Sequence, residues 1–147
     1  MADLTIDPAN VQMYDGVLLV ADRPVIGPVS LIADVAIIAG EAVYLNEREN
    51  LTVALAVNTG AETALCIGIA VKSAAAESSI LVAPAGAYVD LGITLTEGTI
   101  YCVSAAGKIA PIADLGSGDF VSIIGVGTDT AGILDLMPLG ATGYSIP

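Results

Sequence analysis

The sequence has no histidine and no tryptophan, and it has very few positive charges. Among its 147 residues, 4 are Lys or Arg and 16 are Asp or Glu, so the formal net charge is −12. Without histidine the chain cannot build a Ser-His-Asp or Cys-His catalytic unit or a metal site with histidine ligands. Four scattered cationic side chains cannot neutralise a nucleic-acid backbone, and the chain's net charge of −12 repels that backbone. We therefore expect no enzyme activity, no metal or other cofactor, and no nucleic-acid partner.

Long apolar runs are also missing, although hydrophobic residues make up 55% of the chain and charged residues only 14%. The longest uncharged stretches have 12 residues, whereas a membrane-spanning helix needs roughly 18 or more apolar residues. We therefore expect no membrane partner. A short chain this apolar has more hydrophobic surface than its own core can hide. We expect it to bury the excess against copies of itself or another protein.

Cysteine is scarce, with only Cys66 and Cys102. Each lies in an apolar, strand-like run and neither belongs to a CxxC pair, so both are predicted to be small buried hydrophobic residues. Whether the two are ever cross-linked is left open by the sequence.

Short β-branched runs are separated by Gly, Pro, Asn and Asp, which predicts an all-β fold with a small barrel- or sandwich-like domain. The 16 Gly and 7 Pro argue against long helices. The predicted strands are Val17–Val20, Val35–Ile38, Val43–Leu45, Leu51–Val57, Cys66–Val71, Ile80–Val82, Thr99–Val103, Val121–Val126 and Ile133–Leu136.

A weak internal repeat divides these strands into two similar sets. Tyr44 precedes Gly68 by 24 residues, and Tyr101 precedes Gly125 by the same 24 residues. Each glycine is followed by a polar loop, an apolar strand and a proline-glycine exit, at 84–86 and 138–140. This pattern predicts two pseudo-repeated β units that close on each other, with chance similarity as the alternative.

The chain is predicted to have three parts. Residues 1–35 contain Pro8, Pro24 and Pro28, and proline cannot donate to a strand ladder, so this part is interpreted as an extended N-terminal arm. Residues 36–136 form the β domain. Residues 137–147 form an uncharged C-terminal tail without an evident role in the core.

Two charged loops are candidate sites. Asp114 and Asp119 flank a Gly-Ser-Gly sequence, where two carboxylates and backbone carbonyls could hold Ca²⁺. The loop lacks the alternating ligands and final glutamate of an EF-hand, so a tight turn without metal is favoured. The charged residues 47–50 are interpreted as a solvated hairpin tip.

The whole pattern resembles the small decoration (cement) proteins on the heads of tailed bacteriophages. The resemblance covers most of the chain except residues 12–34. The matching segments are 1–6, 9–11, 39–45, 67–71, 95–101, 107–111, 113–119 and 121–127.

This resemblance implies a β domain that forms a homo-oligomer, most often a trimer. It also implies binding to the outer surface of the virion capsid, where the protein would bridge major capsid protein subunits and stabilise the head. An apolar arm suits a segment that becomes ordered on a partner. The arm residues expected to contact the capsid or another subunit are Leu4, Ile6, Val11, Tyr14, Val17 and Leu18. Arg23 is expected to pair with a partner carboxylate, with a local surface pair as the alternative.

Two other functional classes stay open. A head-fibre or tail-associated adhesin that binds the host surface would also be an acidic, β-rich oligomer, although such proteins are usually longer. A hydrolytic enzyme is disfavoured by the missing histidine and the few aromatic residues.

Overall fold

The computed structural model describes residues 3–14, 27–128 and 132–146, which form an all-β protein. These residues contain eleven strands and two single-turn 3-10 helices, at Pro8–Asn10 and Ile112–Asp114. The strands are β1 (Gln12–Met13), β2 (Val29–Ala33), β3 (Ala42–Glu47), β4 (Thr52–Leu55), β5 (Cys66–Ala70), β6 (Ser79–Ala83), β7 (Tyr88–Asp90), β8 (Ile100–Val103), β9 (Ile109–Pro111), β10 (Phe120–Gly127) and β11 (Ile133–Ser145). The predicted all-β class is confirmed.

Most of the predicted strands coincide with observed ones, and two do not. The run at 35–38 is irregular and makes a single bridge between Ile37 and Ala74. The run at 17–20 lies outside the described residues. The sequence pattern missed β1, β2, β7 and β9, because β1 has only two residues and the other three are short and contain Ser, Asp or Pro as well as apolar residues.

The strands form one closed barrel and one open sheet. In the barrel the strand order is β2-β4-β3-β5-β6, and in the six-stranded sheet it is β1-β7-β11-β10-β8-β9. The pairing of β2 with β4 is parallel, while β2 pairs antiparallel with β6. Strand β2 therefore closes the barrel by lying between β4 and β6.

The two sheets are built from the same unit, which confirms the predicted repeat. The two units do not close into one shared barrel, because β2 closes the barrel with strands of the first unit alone. The order β4-β3-β5-β6 in the first unit corresponds to β9-β8-β10-β11 in the second. Tyr44 and Tyr101 are 57 residues apart, as are Gly68 and Gly125. The bulges also correspond, because the strand pairing skips Ile67 in β5 and the residue 57 positions later in β10.

The repeated glycines are required by close backbone contacts. A Cβ atom on Gly68 would collide with the carbonyl oxygen of Ala83, and one on Gly125 with the carbonyl oxygen of Asp135. In both units the strand after the glycine passes directly over it. Any larger residue would force the two strands apart.

Alternation along the barrel strands divides their side chains between two cores. Val43, Ala70 and Val82 face the barrel interior, which is filled by Ala, Val and Ile. Their neighbours Ala42 and Ile69 belong instead to the larger core between the barrel and the second sheet. Because this second core contains residues from both units, the units pack against each other as one body.

The N-terminal and C-terminal boundaries differ from the predicted division of the chain. Strand β2 lies within the predicted arm but completes the barrel, because β4 and β6 would otherwise leave open edges. Strand β11 continues through Pro138 to Ser145, so most of the predicted tail is paired with β10. Residues 138–140 are therefore part of a strand, whereas the chain does leave its strand at 84–86.

The second unit is completed by the N-terminal residues rather than by a strand like β2. The N–H of Leu4 donates a hydrogen bond of 2.8 Å to the carbonyl of Ile109 on β9. Strand β1 then pairs with β7, and the N–H of Tyr14 donates to the carbonyl of Tyr88 at 2.9 Å. Residues 3–14, here called the N-terminal segment, thus run from one edge of the second unit to the other.

Candidate functional site

The N-terminal residues predicted to contact a partner face this chain's own core where the structure describes them. Val11 is a buried member of the core between the units, and Leu4 and Ile6 are half-buried against it. Tyr14 is half-buried. Their role in partner contacts stays a prediction, because the structure uses these residues to cover the second sheet.

The remaining predicted contacts, Val17, Leu18 and Arg23, lie outside the described residues. Their proposed contacts with a capsid or another subunit also stay predictions.

The loop with two carboxylates is a hydrogen-bonded turn. The Asp119 carboxylate accepts a hydrogen bond of 2.7 Å from the N–H of Gly116, and its own N–H donates to the Gly116 carbonyl. Asp114 ends the second 3-10 helix. Across the described residues, no group of three or more Cys, Asp and Glu side chains is placed to hold a metal ion.

Both cysteines are buried and free, as the sequence predicts. Desolvation by burial raises the pKa of the Cys66 thiol to about 12, although hydrogen bonds with the backbone of Gly68 and Val43 oppose the shift. Burial also raises the pKa of Cys102, to about 11. At neutral pH both groups are protonated thiols, which are poor nucleophiles.

The helices that the structure describes are two single 3-10 turns. Within the described ranges, no helix has the length and apolar character needed to cross a membrane.

The exposed surface carries several large apolar side chains, many of them on the first unit. Leu51 is 52% exposed, Leu65 is 42% exposed and Ile32 is 41% exposed. Ile32 and Leu51 are neighbours, since the N–H of Ile32 donates to the Leu51 carbonyl at 3.1 Å. Exposed apolar residues that lie together are typical of protein-binding surfaces.

A depression beside Leu65 is here called the edge cleft. It has two neighbouring parts of ≈570 Å³ and ≈400 Å³, and both are lined by Arg48 and Leu65. The larger part is also lined by acidic residues, Glu47, Glu49 and Glu62. The smaller part is more apolar and is completed by Cys66, Ile67, Ala85 and Pro138.

The edge cleft lies beside Cys66 and Ile67 of β5, where, among the described residues, no strand pairs with β5 on the side of β6. Strand β6 pairs only with the last two residues of β5, Ile69 and Ala70. In the second unit, β11 pairs along β10 from Phe120 to Gly127. The part of β10 that corresponds to 65–67 is therefore covered by an antiparallel strand, whereas this edge of β5 faces the edge cleft.

Sequence reasoning placed residues 47–50 at a hairpin tip, which is confirmed, but it missed the edge cleft beside that tip. The two units differ in how much of β5 and β10 is paired, because the chain turns away at Pro84 after β6 but continues as a strand through Pro138 in β11. Both prolines follow an apolar strand, so the local sequence does not distinguish the two cases.

Comparison with known proteins does not assign the chain to a family: no protein-family model matches it, and no curated protein is similar enough to match.

Proposed function

We propose that this chain is a structural protein of tailed-phage virions. In this proposal it binds the outer surface of the capsid as a homo-oligomer, a trimer, bridges major capsid protein subunits and stabilises the head. The sequence resemblance to phage decoration proteins motivates the proposal. The exposed apolar side chains of the first unit are the structural observation that carries it.

The physical basis is adhesion by many small contacts. Fully burying a Leu or Ile side chain contributes about 1.5–3 kcal/mol, so one that is already half-buried contributes about 1 kcal/mol when a partner covers it. Ile32, Leu51 and Leu65 together offer a few kcal/mol per copy. Because a capsid binds many copies, such contacts add up across its subunit boundaries.

The charge of the chain is consistent with an outer position. A net charge of −12 is repelled by packaged DNA and favours a site that the shell separates from it. The same charge is attracted to basic residues on a shell protein, which would speed association and make it sensitive to salt.

Cryo-electron microscopy of virions that contain this chain tests the proposal. We expect clustered density outside the shell, at capsomer boundaries, into which the barrel and the six-stranded sheet fit. A bare shell, with the chain found only in tail fractions, would contradict the proposal and favour the adhesin.

A further inference from the structure

The end of β2 is flanked by two residues with strained backbones. Leu51 has a φ of 54° and Glu77 a φ of 65°, and no other non-glycine residue that the structure describes has a positive φ. The left-handed region is unfavourable for leucine and glutamate. Strained residues of this kind concentrate at binding and catalytic sites, where the surrounding structure holds them in place.

Both strained residues contact the same strand end, from opposite sides. On the side of β4, the Leu51 carbonyl accepts the hydrogen bond from the N–H of Ile32. On the side of β6, the N–H of Glu77 donates to the carbonyl of Ala33 at 2.6 Å. Neighbouring strands lie about 4.8 Å apart, so the backbones of Leu51 and Glu77 lie roughly 10 Å apart with β2 between them.

The side chains at this strand end form one exposed surface, here called the β2-end surface and defined by Ile32, Asp34, Leu51 and Glu77. Ile32 is 41% exposed and Leu51 is 52% exposed. The carboxylates of Asp34 and Glu77 are also exposed. Glycine would fit the backbone better at both strained positions. The chain instead presents an apolar and an acidic side chain there.

We propose that the β2-end surface is the face that docks on the shell protein. Ile32 and Leu51 cover an apolar side chain of that protein, and Asp34 and Glu77 pair with its Lys or Arg residues. This inference rests on the proposed function, because it takes the shell protein as the partner. The strain at the two flanking residues is retained because it presents their side chains to that partner.

The charge around the β2-end surface selects the chemistry of the partner. The strand end and the two loops beside it carry four exposed carboxylates against two exposed cations, Arg48 and Lys72. The four carboxylates are those of Asp34, Glu47, Glu49 and Glu77. A complementary surface therefore has an apolar centre bordered by Lys or Arg. A second copy of this chain, with 4 cationic residues and a net charge of −12, brings mostly carboxylates instead.

Binding to expanded, undecorated shells, measured by co-sedimentation, tests the apolar contact. Leu51→Gly should weaken binding about fivefold or more, because it removes the more exposed of the two apolar side chains. Its melting temperature should be at or above that of the parent chain, because glycine relieves the strain. Loss of the fold cannot explain weaker binding by a variant that is at least as stable as the parent chain.

Two further variants separate the Leu51 side chain from the flexibility of its loop. Leu51→Asn removes the apolar side chain but introduces a residue that tolerates the left-handed region, so it should bind as weakly as Leu51→Gly. Asn50→Gly loosens the same loop and leaves Leu51 in place. We expect Asn50→Gly to bind within about twofold of the parent chain.

The salt dependence of binding tests the charge. Glu77→Gln removes one carboxylate of the surface and should weaken binding about threefold at low salt. The difference should disappear at high salt, because exposed ion pairs are screened. Glu97→Gln is the matched control, since it changes the net charge equally at an exposed site in the loop before β8. It should bind like the parent chain at both salt concentrations.

Each remaining outcome overturns a named part of the argument. Parent-like binding by both Leu51 variants would overturn the inference while leaving the proposed function standing. Parent-like binding by Glu77→Gln at low salt would overturn the basic chemistry assigned to the partner. Leu51 variants that, without shells, lose an oligomer formed by the parent chain would assign the surface to a second copy and overturn the shell-protein assignment. A parent chain that does not bind shells at all would overturn the proposed function itself.

Discussion

Leu4 is hydrogen-bonded to Ile109, with 2.8 Å between the amide nitrogen and the carbonyl oxygen, and this contact attaches the start of the chain to the edge strand β9. The same segment reaches β7 through β1. It thereby links β9 to β7, the neighbour of β11, whereas in the first unit β2 pairs directly with β4 and β6. Open strand edges promote unwanted pairing, and this arrangement covers two of them with one short segment.

Truncating Val11 should destabilise the fold, because this side chain lies in the core shared by both units. Val11 is only 7% exposed. We expect Val11→Ala to lower the free energy of unfolding by about 1–3 kcal/mol, measured by urea denaturation. Val29→Ala is the matched control at a site that is 41% exposed, and it should change this free energy by less than about 0.5 kcal/mol. Equal losses in both variants would show that the N-terminal segment is not part of the core.

Adding a methyl group to either repeated glycine should be costly. Gly68→Ala and Gly125→Ala each place a Cβ against a backbone carbonyl of the next strand. Because a backbone carbonyl cannot rotate away as a side chain can, we expect each variant to lower the free energy of unfolding by about 1–3 kcal/mol.

Gly27→Ala is the control for these two variants, because a Cβ there would meet nothing within 4 Å. Thermal unfolding should show lower melting temperatures for the first two variants only. A normal melting temperature for Gly125→Ala would contradict the close approach of β11 to β10.

Leu51 is held in the left-handed region, with a φ of 54°, which is unfavourable for a leucine. Its carbonyl accepts the hydrogen bond from Ile32 that joins β2 to β4. Replacing Leu51 with glycine removes the strain and loses little buried area. We therefore expect Leu51→Gly to raise the free energy of unfolding by about 0.5–1 kcal/mol.

Asn50→Gly is the control for Leu51→Gly. Asn50 is the adjacent residue and is also exposed, but its φ is not positive. In chemical denaturation, Asn50→Gly should show no increase in the free energy of unfolding. A gain of the same size in this variant would mean that loop flexibility, and not strain at Leu51, limits stability.

The buried Cys66 thiol should make stability fall at alkaline pH. Burial raises its pKa from 9.0 to about 12. Above pH 9 the unfolded chain loses this proton while the folded chain keeps it, so stability declines from about pH 9 towards pH 12. The limit for one group is about 1.4 kcal/mol per pH unit.

Urea denaturation at pH 7, 9 and 10 measures this decline. Cys66→Ala should show a shallower decline than the parent chain, whatever its stability at pH 7. Val103→Ala changes a buried residue that cannot ionise and should keep the parent slope. An unchanged slope in Cys66→Ala would show that the thiol ionises without unfolding.

Several parts of the fold and of the candidate site could be predicted from the sequence because their signals are local. Apolar alternation identified the longer strands of both units, and the matched Tyr-to-Gly spacing identified the duplication. The burial of both cysteines followed from their apolar neighbours. The edge cleft could not be predicted, because it depends on where β6 stops relative to β5, and the proline after β6 resembles the proline within β11.

The sequence by itself determined the all-β class, the two-unit pattern and the strongly acidic, apolar character, because composition and period-two alternation are properties of neighbouring residues. Tertiary structure alone decided which segments complete the units: β2 closes the barrel, residues 3–14 cover the second sheet, and β6 pairs only with the last two residues of β5. These outcomes depend on pairing between segments far apart in the chain. Such pairing is selected by which edges remain open once the local strands have formed.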